Sequence, residues 1–225
     1  MIGTEINYPL QITKNKINTM KKLNFILLSI FLLGACQNSK KTVKEETKEV
    51  QEETKTAFDE SFYKKKGKEI AQATFKAFVG HIQAKSKEGG LPAVLNFCHD
   101  NALKLTDSMA EAYNVKIKRT SHKLRNPYNA PDEMEKEILN KYLSAQKNSE
   151  KLQPIIKEDT EGNVHFYAPI LIKHDCLKCH GEPGKEIPKD IYQMIKEKYP
   201  QDQAINFKEG DLRGIWDIEF PKENK

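Results

Sequence analysis

Pro154-Ile-Ile-Lys-Glu-Asp-Thr-Glu-Gly-Asn-Val-His-Phe-Tyr-Ala-Pro-Ile-Leu-Ile172 is the stretch that decides the fold class. Two apolar runs, Pro154–Lys157 and Val164–Ile172, flank the polar linker Glu158–Asn163, which predicts an antiparallel hairpin. Upstream, Ala71, Phe75, Phe78 and Ile82 recur at helical spacing within residues 57–84, and Gly89-Gly90 end that segment. A second helix is expected over 91–113, with Pro92 in its first turn. Val115–Arg119 alternates as a short strand, and Arg125-Asn-Pro-Tyr-Asn-Ala-Pro131 reads as a rigid loop. Pro131 is expected to open a helix whose positive end carries Asp132, Glu133 and Glu135; Pro188 is expected to open another. Near the end, Trp216, Ile218 and Phe220 alternate with Asp217 and Glu219, the pattern of a half-buried strand with Trp216 in the core. Helices and antiparallel strands are mixed rather than alternating, which makes the class α+β.

The chain has 225 residues, of which 31% are charged and 38% hydrophobic. That length suits one domain with extensions. Eleven Gly and ten Pro exclude a collagen-like or Pro-rich chain. Part of the hydrophobic share is concentrated in one short run near the N-terminus. Met20-Lys-Lys-Leu-Asn-Phe-Ile-Leu-Leu-Ser-Ile-Phe-Leu-Leu-Gly-Ala-Cys36 has a basic start, an apolar core and small residues, which is the layout of an export signal. Leu33-Gly34-Ala35-Cys36 resembles a bacterial lipobox, so residues 20–35 read as a lipoprotein signal peptide with Cys36 as the lipidated N-terminus. Residues 1–19 lack periodicity and read as a mis-assigned extension, Met20 being the better start. Residues 36–56 form a charged tether, because five lysines and five glutamates beside two valines cannot bury enough apolar surface to offset ordering. The folded unit is expected over 57–225. Beyond residue 35 the balance is 33 Lys+Arg against 31 Asp+Glu, which indicates no nucleic-acid partner. The expected location is the cell envelope, lipid-anchored and facing the periplasm, with the outer membrane compatible.

Cys176-Leu177-Lys178-Cys179-His180 carries the chemistry. Two thiols three residues apart can each add to one vinyl group of a porphyrin edge, and the following imidazole then lies beneath the ring as an iron ligand. The expected cofactor is one covalently attached haem c per chain, with Cys176, Cys179 and His180 binding it. Two other readings compete. Structural zinc would need four ligands, for which Cys98 and His180 would have to complete the pair. A thioredoxin-like dithiol would open a helix in a βαβ unit, whereas this pair follows a hairpin.

Three motifs in order resemble the single-haem c-type family with a PAS-like fold, catalogued largely as a domain of unknown function. They are Arg119-Thr-Ser-His-Lys-Leu-Arg-Asn-Pro-Tyr-Asn-Ala-Pro131, Cys176-Leu-Lys-Cys-His-Gly181, and Tyr199-Pro-Gln-Asp-Gln-Ala204 through Gly210-Asp-Leu-Arg-Gly214. The resemblance covers residues 62–221. It implies a PAS-like antiparallel sheet flanked by helices, and a haem with histidine on one side and cysteine on the other. Ala93-Val94-Leu95-Asn96-Phe97-Cys98 matches the segment that supplies the cysteine. This chain departs at Leu103, where proline is expected, at Asn206-Phe207 in place of a Gly-aromatic pair, and at Asp217-Ile218 in place of Ser-Val.

Helical geometry is compatible with Cys98 as the second metal ligand beside His180. Cys98 shares a face with Leu91, Val94, Leu95, Ala102, Leu105 and Met109. His99 is turned about 100° away. Met109 is on the same face but ~16 Å further along the axis, so only one of these can reach the iron. The bland alternative for Cys98 is a small buried hydrophobe. His81, His122, His165 and His174 have no spacing that nominates them. Arg119, Arg125 and Arg213 lie in the recurring motifs and are expected to pair with haem propionates or buried carboxylates, Arg125 and Arg213 foremost.

These features suggest a membrane-tethered monohaem protein for electron transfer or for redox or small-ligand sensing, with a redox partner protein and a small gaseous or sulfur ligand as partners. Five residues after Phe220 leave no expected output module, which favours transfer over sensing. Catalysis on peroxide, nitric oxide or sulfide ranks lower, since no distal acid–base pair is visible and no catalytic residue is nominated. A haem-free interaction lipoprotein ranks last.

Overall fold

The structure, a computed structural model, describes residues 59–222. Cys36, the signal peptide, the extension before it and the whole tether lie outside the described residues. Helix α1 spans Glu60–Tyr113 and opens with Asp59 accepting from the Phe62 amide. It is two helical limbs in one. Gly90 sits at φ +63°, ψ −155°, a conformation that only glycine adopts readily, and it breaks the helix together with Gly89. Pro92 costs little there, because the N–H it lacks would be unpaired in the first turn of the second limb.

Strands β1 (Lys116–Thr120), β2 (Ile155–Glu158), β3 (Val164–Leu171) and β4 (Leu212–Phe220) form one antiparallel sheet in the order β1-β4-β3-β2. The expected hairpin is β2–β3, with Ile156 facing Phe166. Between β1 and β2 lies α2 (Glu133–Lys147), and between β3 and β4 lie α3 (Leu177–His180) and α4 (Lys189–Lys198). The α+β expectation therefore holds as a four-stranded antiparallel sheet with helices.

Both faces of the sheet are covered. The first limb of α1 sets Ile70, Ala71 and Phe78 against Ile117, Phe166, Trp216 and Ile218. From the other side, α2 sets Ile138, Leu139 and Tyr142 against Tyr167, Leu212 and Ile215. This corrects the expectation of a half-buried β4. Asp217 points under α2 rather than to water, and it is buried. The start of α2 is also corrected: Pro131 precedes the cap, and Asp132 is the N-cap residue. Asp132 and Glu135 form a reciprocal capping box, and Lys118 donates to the same Glu135 oxygen as the Asp132 amide. Glu135 is fully buried as a result.

A third apolar cluster joins Leu95 of the second limb to Ile187, Ile191, Ile195 and Tyr199 around α4. In a fourth, Cys176 and Leu177 pack on Ile172, Ala204 and Phe207. The motif segment thus packs on the end of the β3 segment and on the loop leading into β4. Among the described residues no helix is long and apolar enough to cross a membrane.

Candidate functional site

Cys176 closes a short 3-10 turn (His174–Cys176), and α3 continues from it as a single turn that ends on His180. This places Cys176, Cys179 and His180 on one compact corner, with both thiols half-buried and free. His180 Nδ1 lies 2.8 Å from the Ala204 carbonyl oxygen. A carbonyl only accepts, so Nδ1 carries the proton and Nε2 keeps the ring's lone pair. Burial, then the positive charges of Arg213 and Arg125, push the His180 pKa well below the usual imidazole range, against the pull of the Ala204 carbonyl. The ring is therefore neutral at physiological pH and ready to donate through Nε2.

The segment 202–207 forms the wall behind that ring. The Phe207 amide donates to the His180 carbonyl (3.0 Å) and the Asn206 amide to the Gly181 carbonyl (2.8 Å). Phe207 meets the His180 ring edge-on at 6.3 Å. Asn206 has φ +60°, which explains why this position, glycine in the expected pattern, tolerates asparagine: its side chain is among the few at ease there.

Cys98 faces the corner from the second limb of α1. Burial raises its thiol pKa to about 11, with the charge of Cys179 adding to the rise and those of Arg119 and Arg125 opposing it. The structure therefore brings Cys98 into the electrostatic reach of Cys179. Met109 packs instead against the core over the sheet. His99 is solvent-facing, with Nδ1 at 2.6 Å from Asp100. Among the described residues no group of three or more His, Cys, Asp or Glu side chains could hold a metal ion, so the four donors of a zinc site are not assembled.

The three arginines differ in their bonding. Arg125 is committed to protein: Nε donates to Asp202 Oδ1 (3.1 Å), and Nη2 reaches Asp202 Oδ2 (3.0 Å), the Cys179 carbonyl (2.7 Å) and the Ala204 carbonyl (3.1 Å). Arg213 donates from Nη1 to the Lys123 carbonyl, and its Nε is buried with no partner. Arg119 also has a buried, unpartnered Nε, its guanidinium resting 3.9 Å over the Phe78 ring. Burial lowers the pKa of both Arg119 and Arg213 to about 10. Each of these two buried guanidiniums thus carries an N–H donor that an anionic group could satisfy. Sequence reasoning overlooked Asp202, although it stands inside the quoted Tyr199–Ala204 motif; its burial could not be read from a loop.

The family model described as Tll0287-like matches residues 34–221. The chain belongs to the Tll0287-like family. Within reach of that match, a solved structure described as the cyanobacterial heme-protein Tll0287 is 24% identical, with a TM-score of 0.55, over 75% of this chain and 99% of that one. At that identity the likeness shows a shared fold. No curated protein matches. The Tll0287-like match takes in all three motifs, together with Cys98.

Proposed function

We propose that this protein is a membrane-tethered, single-haem c-type redox protein that transfers electrons or senses redox state or a small ligand. In this reading Cys176 and Cys179 would hold the haem through thioether bonds, and His180, through Nε2, and Cys98 would be the ligands of its iron in a PAS-like frame. The observation that carries the reading is the His180 tautomer: Nδ1 is spent on the Ala204 carbonyl, in a motif whose two thiols flank the same turn. The haem protein among the similar structures supports it. So do the buried Nε atoms of Arg119 and Arg213, which lack acceptors that propionates would supply.

Haem, when bound, supplies one-electron iron chemistry, and the chain sets its terms. Ile172, Ala204, Phe207 and Leu177 exclude water from the His180 side. His180 is held neutral and oriented. An anionic sulfur donor from Cys98 favours ferric iron, which implies a low potential relative to a His/Met haem. The test is the optical spectrum of the matured protein, oxidised and reduced, with and without carbon monoxide. The reading expects a low-spin ferric form with a sulfur-to-iron charge-transfer band, and carbon monoxide binding on reduction. Cys98→Ala should convert ferric iron to a high-spin or water-bound form and raise the potential. An unchanged spectrum in Cys98→Ala, with a changed one in His99→Ala or Met109→Ala, overturns the ligand assignment.

A further inference from the structure

We infer that Asp202 and Arg125 are positioning residues for His180, acting through the Ala204 peptide; the inference rests on His180 being the iron ligand. The Ala204 backbone is held on both sides of its Cα. Its N–H donates to Asp202 Oδ1 (2.8 Å), and its carbonyl accepts from Arg125 Nη2 (3.1 Å) and from His180 Nδ1 (2.8 Å). Asp202 and Arg125 close the ring through their two-pronged ion pair, in which the Asp202 side chain is 0% exposed and that of Arg125 12%. The same guanidinium donates to the Cys179 carbonyl, the acceptor one residue before the histidine. One side chain therefore fixes both the backbone that carries His180 and the carbonyl that orients its ring.

The chemistry of the pair matches this task. A group that hydrogen-bonds the far nitrogen of a ligating histidine sets its tautomer, its ring orientation and its basicity. A backbone carbonyl can do so only as well as its peptide is held, and this peptide lies in a loop rather than in a strand or helix. Arginine suits the position because its planar fork can reach Asp202, Cys179 and Ala204 together, which an ammonium on a flexible stem cannot do in one geometry. Asp202 supplies the charge that lets Arg125 stay buried beside His180. Arg125 is thereby taken from the role of a propionate partner, which falls to Arg119 and Arg213.

The test uses the matured, haem-loaded protein with Asp202→Asn and, separately, Arg125→Lys. Three quantities are read: covalent haem by mass, the midpoint potential, and hydrogen exchange of the His180 Nδ1–H by proton NMR. The inference expects covalent haem to be retained and Nδ1–H exchange to be faster in both variants, by about tenfold in Asp202→Asn for the loss of one charge-assisted bond's support. It also expects a raised potential, because the histidine donates less and Arg125 is left with uncompensated charge. A raised potential with wild-type exchange would reduce Asp202 to charge compensation and overturn the positioning role. If Asp202→Asn does not accumulate, Arg125→Lys decides alone, and wild-type exchange there overturns the inference. Absence of covalent haem from the wild type, or a spectrum indifferent to His180→Ala, overturns the function reading instead.

Discussion

His165 shows what a single buried residue can hold. It lies on β3 with Nδ1 at 2.9 Å from Asp217 Oδ1 and Nε2 at 3.5 Å from Asp159 Oδ2, and its ring stacks on Tyr167. Burial works to lower its pKa, but the hydrogen bond and charge of Asp217, then the hydrogen bond of Asp159 and the charge of Glu219, outweigh it and the net shift is upward. Burial also lifts the Asp217 carboxyl, which His165 pulls down. The folded pKa of His165 exceeds the unfolded one, so the contribution of His165 protonation is fully present below the unfolded value. It is lost as pH rises through the folded value. Its size is of order 1–3 kcal/mol for a charge-assisted bond. Stability should fall between neutral and mildly alkaline pH, and Asp217→Asn should flatten that slope and lower the His165 midpoint. Thermal melts across pH and an NMR titration of His165 check this; an unmoved midpoint in Asp217→Asn would contradict it. None of this pairing was legible in the sequence, because His165 and Asp217 are 52 residues apart and each occupies an ordinary polar position in a strand pattern.

Among the elements, the contact between α1 and β3 depends on Gly67. A Cβ at that position would overlap the Cγ edge of Phe166, which is itself fully buried. Alanine would add about 1 kcal/mol of helix propensity, but the overlap forces the helix off the sheet at about 1–3 kcal/mol or more. Gly67→Ala is expected to lower stability in chemical denaturation, and a neutral or stabilising result would mean that helix and sheet do not meet this closely. The elements themselves were largely readable. Gly89-Gly90 announced the break in α1, alternation announced β1 and β4, and the polar linker announced the β2–β3 hairpin. The misreading of β4 has a physical cause. A strand covered on both faces still alternates apolar and polar residues, and only the second covering layer, α2, reveals that Asp217 is inside. The site divides in the same way. Local spacing exposed Cys176, Cys179 and His180, and helical periodicity singled out the face of Cys98. The partners of Arg125 depend on a loop 77 residues away, where no periodicity exists to be read.

For the whole molecule, the proposed function requires a lipid anchor at Cys36 upstream of the haem-family domain. Cys36→Ser is expected to release the protein from membranes, and a variant that stays with the membrane fraction after a carbonate wash would place the anchor elsewhere. Everything else in the account depends on whether the haem is covalent. In the proposed function, the neutral His180, the half-buried thiols, the unpartnered guanidiniums and the Cys98 face would all take their roles from a porphyrin joined at Cys176 and Cys179. The decisive measurement is the mass of the proteolytic peptide containing Cys176–His180, taken from protein matured outside the cytoplasm and extracted with acid–acetone. The account predicts that the peptide stays coloured and carries the added mass of one haem. A colourless peptide of polypeptide mass alone, with any haem in the acetone, would contradict it.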